Sequence, residues 1–315
     1  MYQNSFLAIA QNKKQLKCER FLQEMSRVIP WDVIMKMIEP IYPEKGTGRK
    51  RKGVLLMIRI YFLQQWYNLS DPGVEEAIYD RMSFQKFLGI DLLSDEVPDE
   101  TTILNFRHLL TEQGIQEKLF ERVNQILEAK GLLMKEGTIT DATLIAAPSS
   151  TKNKEKKRDS EMSSTKKGAN YYFGMKAHIG VDTKKGLVHT VATSTAKESD
   201  RQKFKELLHG EEKAVFGDKG YVSDVDKKEA RLTGLLWCVL DKGKAKHPLS
   251  TKQKRRNKHL SSVRAKVEHP FQVLKCQWGF RKVRYKGLAK NTAQLFALFA
   301  LFNLFKTRKL ILQGA

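Results

Sequence analysis

Hydrophobic positions along the chain change period once, near Gly137. Before it, apolar residues recur at helical spacing; after it, short β-branched runs alternate with turn residues. Residues 54–63 are apolar nearly all round, which predicts a helix in the middle of a bundle. Asp71-Pro72-Gly73 opens a helix over 74–81, and Pro98-Asp99 precedes another over 101–110 with Asp99 as its N-cap. Residues 116–129 continue the helical spacing and Gly131 ends it. The whole stretch from 1 to about 131 reads as all-helical.

The runs after Gly137 predict strands over 138–147, 176–182, 187–194, 214–217 and 235–241. Lys184-Lys185-Gly186 marks a hairpin between the second and third. Helices are predicted over 199–209 and roughly 258–277. Three strands, helix, strand, strand, helix is the order of a ribonuclease H-like mixed sheet. The greasy run 295–305 is well short of the roughly 20 residues a membrane span needs, so it reads as a buried helix and no membrane is expected. These patterns divide the chain into a helical domain at 1–131, a sheet domain at 132–308 and a tail at 309–315.

Charge then narrows the partner. The 315 residues carry 57 Lys+Arg against 35 Asp+Glu, a net charge of +22. An excess of this size favours a polyanion, with nucleic acid foremost. Cys18, Cys238 and Cys276 have neither metal-ligand spacing nor an even count, which fits a reducing cytoplasm. Met1 to Gln15 lacks the apolar core of a signal peptide. Two lysine-rich segments are too polar to bury a core and are expected to be exposed and mobile. Residues 152–167 carry Lys152, Lys154, Lys156, Lys157, Arg158, Lys166 and Lys167; residues 242–258 include Lys244, Lys246, Lys252, Lys254, Arg255 and Arg256. Both would flank one site and neutralise phosphates there. With DNA in view, helices 74–81 and 101–110 are a possible reading pair. A plain bundle accounts for them as well, since 82–97 is long for a helix-turn-helix connection.

The candidate chemistry lies in three separated carboxylates. Asp141, in Thr140-Asp141-Ala142-Thr143, and Asp218, between Gly217 and Lys219-Gly220, end apolar runs as strand-end residues do. Glu268 lies in the basic helical segment Arg264-Ala265-Lys266-Val267-Glu268. Any one acid alone reads as a turn, cap or surface residue; together they fit one phosphodiester site. Two magnesium ions held by carboxylates activate a water or 3′-hydroxyl and stabilise the leaving oxygen, with manganese as a possible substitute. At about 100° per residue, Arg264, Glu268 and Lys275 share one face of the helix, although Pro270 should kink it or start a new turn. Asp182 and Asp200 are alternative ligands, and His178 on a strand reads as structural. Trp278, Phe280, Arg281, Arg284 and Tyr285 interleave aromatics with cations, for which core packing of Trp278 and Phe280 is the stronger reading.

At these residues the chain resembles bacterial insertion-sequence DDE transposases of the IS-five group. Asp141-Ala142-Thr143 resembles the first-Asp motif, residues 173–182 the second-strand motif and Gly217-Asp218-Lys219-Gly220-Tyr221 the second-Asp motif. Arg264, Glu268 and Lys275 fit the signature Tyr-x2-Arg-x3-Glu-x6-Lys, with Ser261 in place of its tyrosine. Residues 83–89 and 98–103 resemble the family's helical domain. The resemblance implies that Asp141, Asp218 and Glu268 are catalytic metal ligands and that Arg264 and Lys275 contact phosphate. It implies an enzyme, acting in the bacterial cytoplasm at the nucleoid, that cuts at terminal inverted repeats and joins the 3′-hydroxyls to target DNA. It also implies a homodimer in the DNA complex. A stand-alone nuclease of the same fold and an inactive DNA-binding regulator are the competing readings; the long helical region argues against the first and the three acids against the second.

Overall fold

The computed structural model describes residues 15–42, 51–243 and 247–314. The signal-peptide reading falls almost wholly outside them, as do Lys244 and Lys246. The chain forms two compact units. One gathers the described parts of Met1–Gln64, Leu69–Arg107 and Thr307–Ala315; the other holds Gln65–Asn68 and His108–Lys306.

The first unit is helical. It contains α1 (Lys17–Val28), α2 (Trp31–Ile38), α4 (Asp71–Asp80) and α5 (Met82–Leu88), with most of α3 (Val54–Tyr67) and the first part of α6 (Glu100–Glu112). The all-round apolar run of α3 buries Met57, Ile58, Ile60, Phe62 and Leu63. Ser70 caps α4 by accepting from the Gly73 N–H, and Asp99 caps α6 by accepting from the Thr102 N–H at 2.7 Å. Asp71, at the start of α4, pairs with the nearly buried Arg107 at 2.7 Å. The segment 82–97 is no plain connection. Phe84, Phe87 and Leu88 bury one face of a short helix there, and Gly89, with φ of 72°, ends it. Helices 71–80 and 100–112 are therefore not successive members of a helix-turn-helix.

The second unit is a six-stranded mixed sheet with helices. Its strands are β1 (Gly137–Ala146), β2 (Ser163–Lys167), β3 (Asn170–Asp182), β4 (Val188–Thr195), β5 (Ala214–Gly217) and β6 (Leu236–Val239). The path β3-β1-β5-β6 forms its middle and one flank; β2 and β4 share the other edge of β3. β1 runs antiparallel to β3 and parallel to β5, and β5 parallel to β6. This is the ribonuclease H-like order that the alternation of strands and helices indicated. Helix α7 (Ile115–Ala129) buries Leu119, Val123 and Leu127, and α8 (Asp224–Leu232) buries Ala230. The Asn124 amide of α7 donates to the Val188 carbonyl at 3.2 Å.

Four elements depart from expectation. The last residues of the first lysine-rich segment form β2, because β3 extends back to Asn170 and offers them a backbone ladder without any apolar pattern. The predicted helix 199–209 is two 3₁₀ turns, Asp200–Lys203 and Lys205–Leu207. Only Phe204 and Leu207 are buried there, too few apolar anchors for a longer helix. Helix α9 (Thr251–Gln272) starts seven residues earlier than predicted, at a Ser250–Gln253 capping box, so Lys252, Lys254, Arg255 and Arg256 are helical rather than loop residues. The final helix α10 (Leu288–Gln313) runs on through 309–313. Its segment 295–302 is almost wholly buried, and no described helix is long and apolar enough to cross a membrane.

Candidate active site

Strand register brings the first two acids together. β1 and β5 pair as Gly137 with Ala214, Thr138 with Val215 and Ile139 with Phe216. Asp141 lies two residues beyond the last pair on one strand, and Asp218 two beyond it on the other. Parallel neighbours carried forward equally stand level with one another. The Thr140 hydroxyl holds the strands at that level by donating to the Phe216 carbonyl at 3.2 Å. Asp218 then caps the 3₁₀ turn Lys219–Tyr221, its Oδ1 accepting from the Gly220 N–H.

The period of two puts Asp141, Thr143 and Ile145 on one face of β1. Thr143 and Ile145 look into the apolar layer of Phe271, Leu274 and Phe299. Helix α9 packs on this face, with Val267 completely buried. Arg264, three residues before Val267, brings positive charge to Asp141 and Tyr221. Burial raises the Asp141 carboxyl to about 6; the Ala142 N–H and Arg264 oppose the rise, and Asp218 and Asp200 add to it. Buried Arg264 Nε and the Tyr221 hydroxyl have no hydrogen-bond partner among the described residues. Tyr221 is 1% exposed, and its phenol is pushed upward by burial and then by Asp141, Asp200 and Asp218.

The remaining expected residues are placed as follows. Glu268 is exposed on α9 and forms no ion pair with Arg264. Among the described residues no three acid, histidine or cysteine side chains converge closely enough to hold an ion. The acids are nevertheless hard oxygen donors of the kind a divalent cation takes. The pair Asp141 and Asp218, with Asp200 nearby, forms a cluster of mutually repelling carboxylates. After Pro270 the helix widens into a π-helical turn, Val273–Gln277, so Lys275 leaves the regular helical projection. Its Nζ donates to the Thr143 hydroxyl and the Leu144 carbonyl, both at 2.6 Å.

Asp200 pairs with Lys176 at 2.9 Å. Asp182 accepts from the Lys184 and Lys185 N–H groups and so shapes the β3–β4 turn. His178 is completely buried, with Nε2 at 2.8 Å from Ser194 Oγ. Trp278 and Phe280 are core residues.

Lys152, Lys154, Lys156 and Lys157 are exposed, but acids tie their loop to the start of α10. Glu155 pairs with Lys286 at 2.7 Å, Asp159 accepts from the Gly287 N–H and Glu161 from the Leu288 N–H. Those last two acids occupy the positive end of a helix. Arg255 is exposed on the first turns of α9. Arg256 instead donates to the Trp237 and Val239 carbonyls and pairs with Asp241 at 3.0 Å, which secures the end of β6. The sequence carried no sign of the unpartnered Tyr221 hydroxyl, since burial depends on the turn that folds it under Gly217. It carried none of the β2–β3 hairpin either.

Two family matches account for most of the chain. Residues 133–304 match the Transposase DDE domain and residues 10–109 match the Transposase domain (DUF772). Among solved structures the chain is similar to the piggyBac transposase synaptic complex with hairpin DNA, at 11% identity, covering 97% of this chain and 77% of that one, with a TM-score of 0.48. It is also similar to the Mos1 strand transfer complex, at 10% identity, covering 89% and 84%, with a TM-score of 0.26. Both likenesses are distant. The chain belongs to the DDE transposase family on the strength of the DDE-domain match, which spans more than half of it. It is an enzyme of DNA transposition, a chemistry that uses a divalent metal.

Proposed function

We propose that the protein binds the terminal inverted repeats of an insertion element, cuts a phosphodiester at each end and joins the freed 3′-hydroxyls to target DNA. Support comes first from the level placement of Asp141 and Asp218 just past the parallel pairing of β1 and β5, with Arg264 of α9 close enough to act on Asp141. In this reading Asp141, Asp218 and Glu268 hold two magnesium ions. When bound, the ions would lower the pKa of a water or hydroxyl and stabilise the leaving oxygen.

The chain's own groups do the rest. Arg264 opposes the developing negative charge beside Asp141. Lys275, anchored to β1, presents its ammonium at the strand edge. The loop of Lys152–Lys157 and the exposed Arg255 neutralise phosphates, which positions DNA without reading its bases. The helical unit reads the repeats, and a second copy of the chain brings the second end.

Incubating the protein with a supercoiled plasmid carrying candidate ends, with and without magnesium, tests the reading. Nicked or linear product cut at the ends only with metal is the expected result. Absence of metal-dependent cutting at any end, by protein that binds those ends, would overturn it.

A further inference from the structure

Within the helical unit, α1, α3 and α5 enclose a pocket of about 200 Å³. Gln23 and Ser26 line it from α1, Arg59 from α3, and Ser83 and Lys86 from α5. Arg59 sets this pocket apart. Its guanidinium lies over the rings of Trp31, at 5.1 Å, and Phe87, at 5.6 Å. Those faces hold the cation in place without supplying an anion. Its Nε is buried with no hydrogen-bond partner, and no acid pairs with the group among the described residues. Arg107 and Arg308 in the same unit are matched: the first meets Asp71 at 2.7 Å and the second Glu24 at 2.8 Å. Burial lowers the Arg59 pKa from its ordinary value, the direction for a cation that has lost water and gained no acid. A buried donor left unmatched is costly unless a group from outside the chain completes it.

The chemistry of the walls says what would complete it. The acid at the rim, Glu19, pairs with Lys86 at 2.8 Å, so its charge is met and that of Arg59 is left over. Further donors stand around the guanidinium. The Gln23 Oε1 accepts from the Gln15 amide at 2.7 Å, which leaves the Gln23 NH2 as a donor. The Ser26 and Ser83 hydroxyls add two more. Donors from three helices around one fixed guanidinium suit an anion with several oxygens better than a carboxylate with two.

We infer that this pocket is a phosphate site, with the phosphate group on Arg59 and the hydroxyls of Ser26 and Ser83 as further donors. A DNA backbone and free phosphate share that chemistry, and the two arms of the test separate them. The site stands on the side chains of the helical unit and does not depend on the DNA-cutting reading.

Thermal melts of the full chain in sodium phosphate and in sodium chloride of equal ionic strength test it. Exclusion of phosphate from the protein surface stabilises every variant alike, so the readout is the difference between wild type and variant. Phosphate should raise the wild-type midpoint by roughly 3 °C more than that of Arg59→Gln. Ser83→Asp places a carboxylate at the wall and should remove the same extra rise. An acid in the first turn of α5 favours that helix, so this variant covers the case in which Arg59→Gln fails to fold. The second arm is the salt dependence of DNA binding. A log–log slope lowered by about 0.9 in the folded variant assigns the pocket to a backbone phosphate, and an unchanged slope assigns it to free phosphate. A phosphate effect equal in wild type and either folded variant overturns the pocket, whatever the slope does. The melts contain no DNA, so that result leaves the transposase reading standing, and a chain that cuts no DNA leaves the pocket standing.

Discussion

The two ends of the parallel pairing between β1 and β5 are built in opposite ways. At its start, the Thr138 hydroxyl donates to Glu212 at 3.1 Å and lies 3.1 Å from His189 Nε2. The Glu212 carboxylate also accepts from the His209 and Gly210 N–H groups, and His189 Nδ1 meets the Thr190 hydroxyl at 2.9 Å. The arrangement is self-consistent for a neutral imidazole, with Nε2–H donating to Thr138 and Nδ1 accepting from Thr190. Burial, then His209 and Lys135, hold His189 down at about 3, so it stays neutral. Three residues along the strand, Asp141 is raised to about 6, and near it Arg264 Nε and the Tyr221 hydroxyl are buried without partners among the described residues. At the first end Thr138, Glu212 and His189 satisfy one another, and among the described residues His209 Nε2 is left over. The other keeps charge and hydrogen-bonding capacity for something the chain does not itself supply. Buried polar groups are normally satisfied, so that contrast separates a structural cluster from the proposed site.

Replacing acids at the working end tests the contrast most severely. Asp218→Asn and Asp141→Asn should each reduce metal-dependent cleavage to background in a plasmid assay while the thermal midpoint stays at or above that of wild type. Near-normal cleavage by either variant would remove that acid from the site, and a large drop in midpoint would show that the working end also holds the fold. At the structural end the pattern should invert. Glu212→Gln places an amide against donors and should cost about 3 kcal/mol by urea titration, with cleavage per folded molecule unchanged.

Much of this contrast lay beyond sequence reasoning. The strand order was legible because β-branched runs and turn residues are local signals, and β5 was read with its observed bounds. Asp218 was legible as a strand-end residue for the same reason; Asp141 was read as one too, but β1 runs on to Ala146 because β3 offers it a continuous ladder. Glu212 and His209 gave no such signal, since beyond their local turn the groups they meet, Thr138 on β1 and His189 on β4, are far off in sequence. The hairpin strand β2 is Ser-Ser-Thr-Lys-Lys, whose pairing comes from β3 and not from its own pattern. Arg256 looked like one more loop cation until the fold brought the carbonyls of β6 to it.

A pH scan extends the comparison to β3, the strand beside β1. Burial holds His178 at about 4; Asp200 and Glu198 raise it, and Lys176 and Lys203 lower it. A histidine with a folded pKa below its unfolded value contributes stability that is fully present above the unfolded value of about 6.5. That stability is lost as pH falls toward the folded value, because only the unfolded chain takes up the proton. Between pH 7 and pH 5 the loss should be about 2 kcal/mol. His178→Gln should remove its share of this slope in urea titrations at the two pH values, leaving a share of about the same size from His189, whose shift has the same sign. An unchanged slope would mean that His178 takes up its proton in the folded protein.

The smallest expected effect is the most selective. Tyr221 packs against Phe204 at 5.6 Å between ring centroids, and a side chain on Gly217 would touch its Cβ, so the ring is fixed by apolar contacts alone. Its hydroxyl has no partner among the described residues. Removing a buried hydroxyl that makes no hydrogen bond leaves no group unsatisfied, so Tyr221→Phe should change stability by less than about 1 kcal/mol, in the stabilising direction. Thr138→Val removes a hydroxyl of similar burial that serves both Glu212 and His189, and should destabilise by about 1–2 kcal/mol. Opposite signs for two hydroxyl deletions in one unit would show that the two ends of the β1–β5 pairing differ as the geometry says. If Tyr221→Phe costs as much as Thr138→Val, the hydroxyl has a partner in solution, and the working end is less open than its neighbours imply.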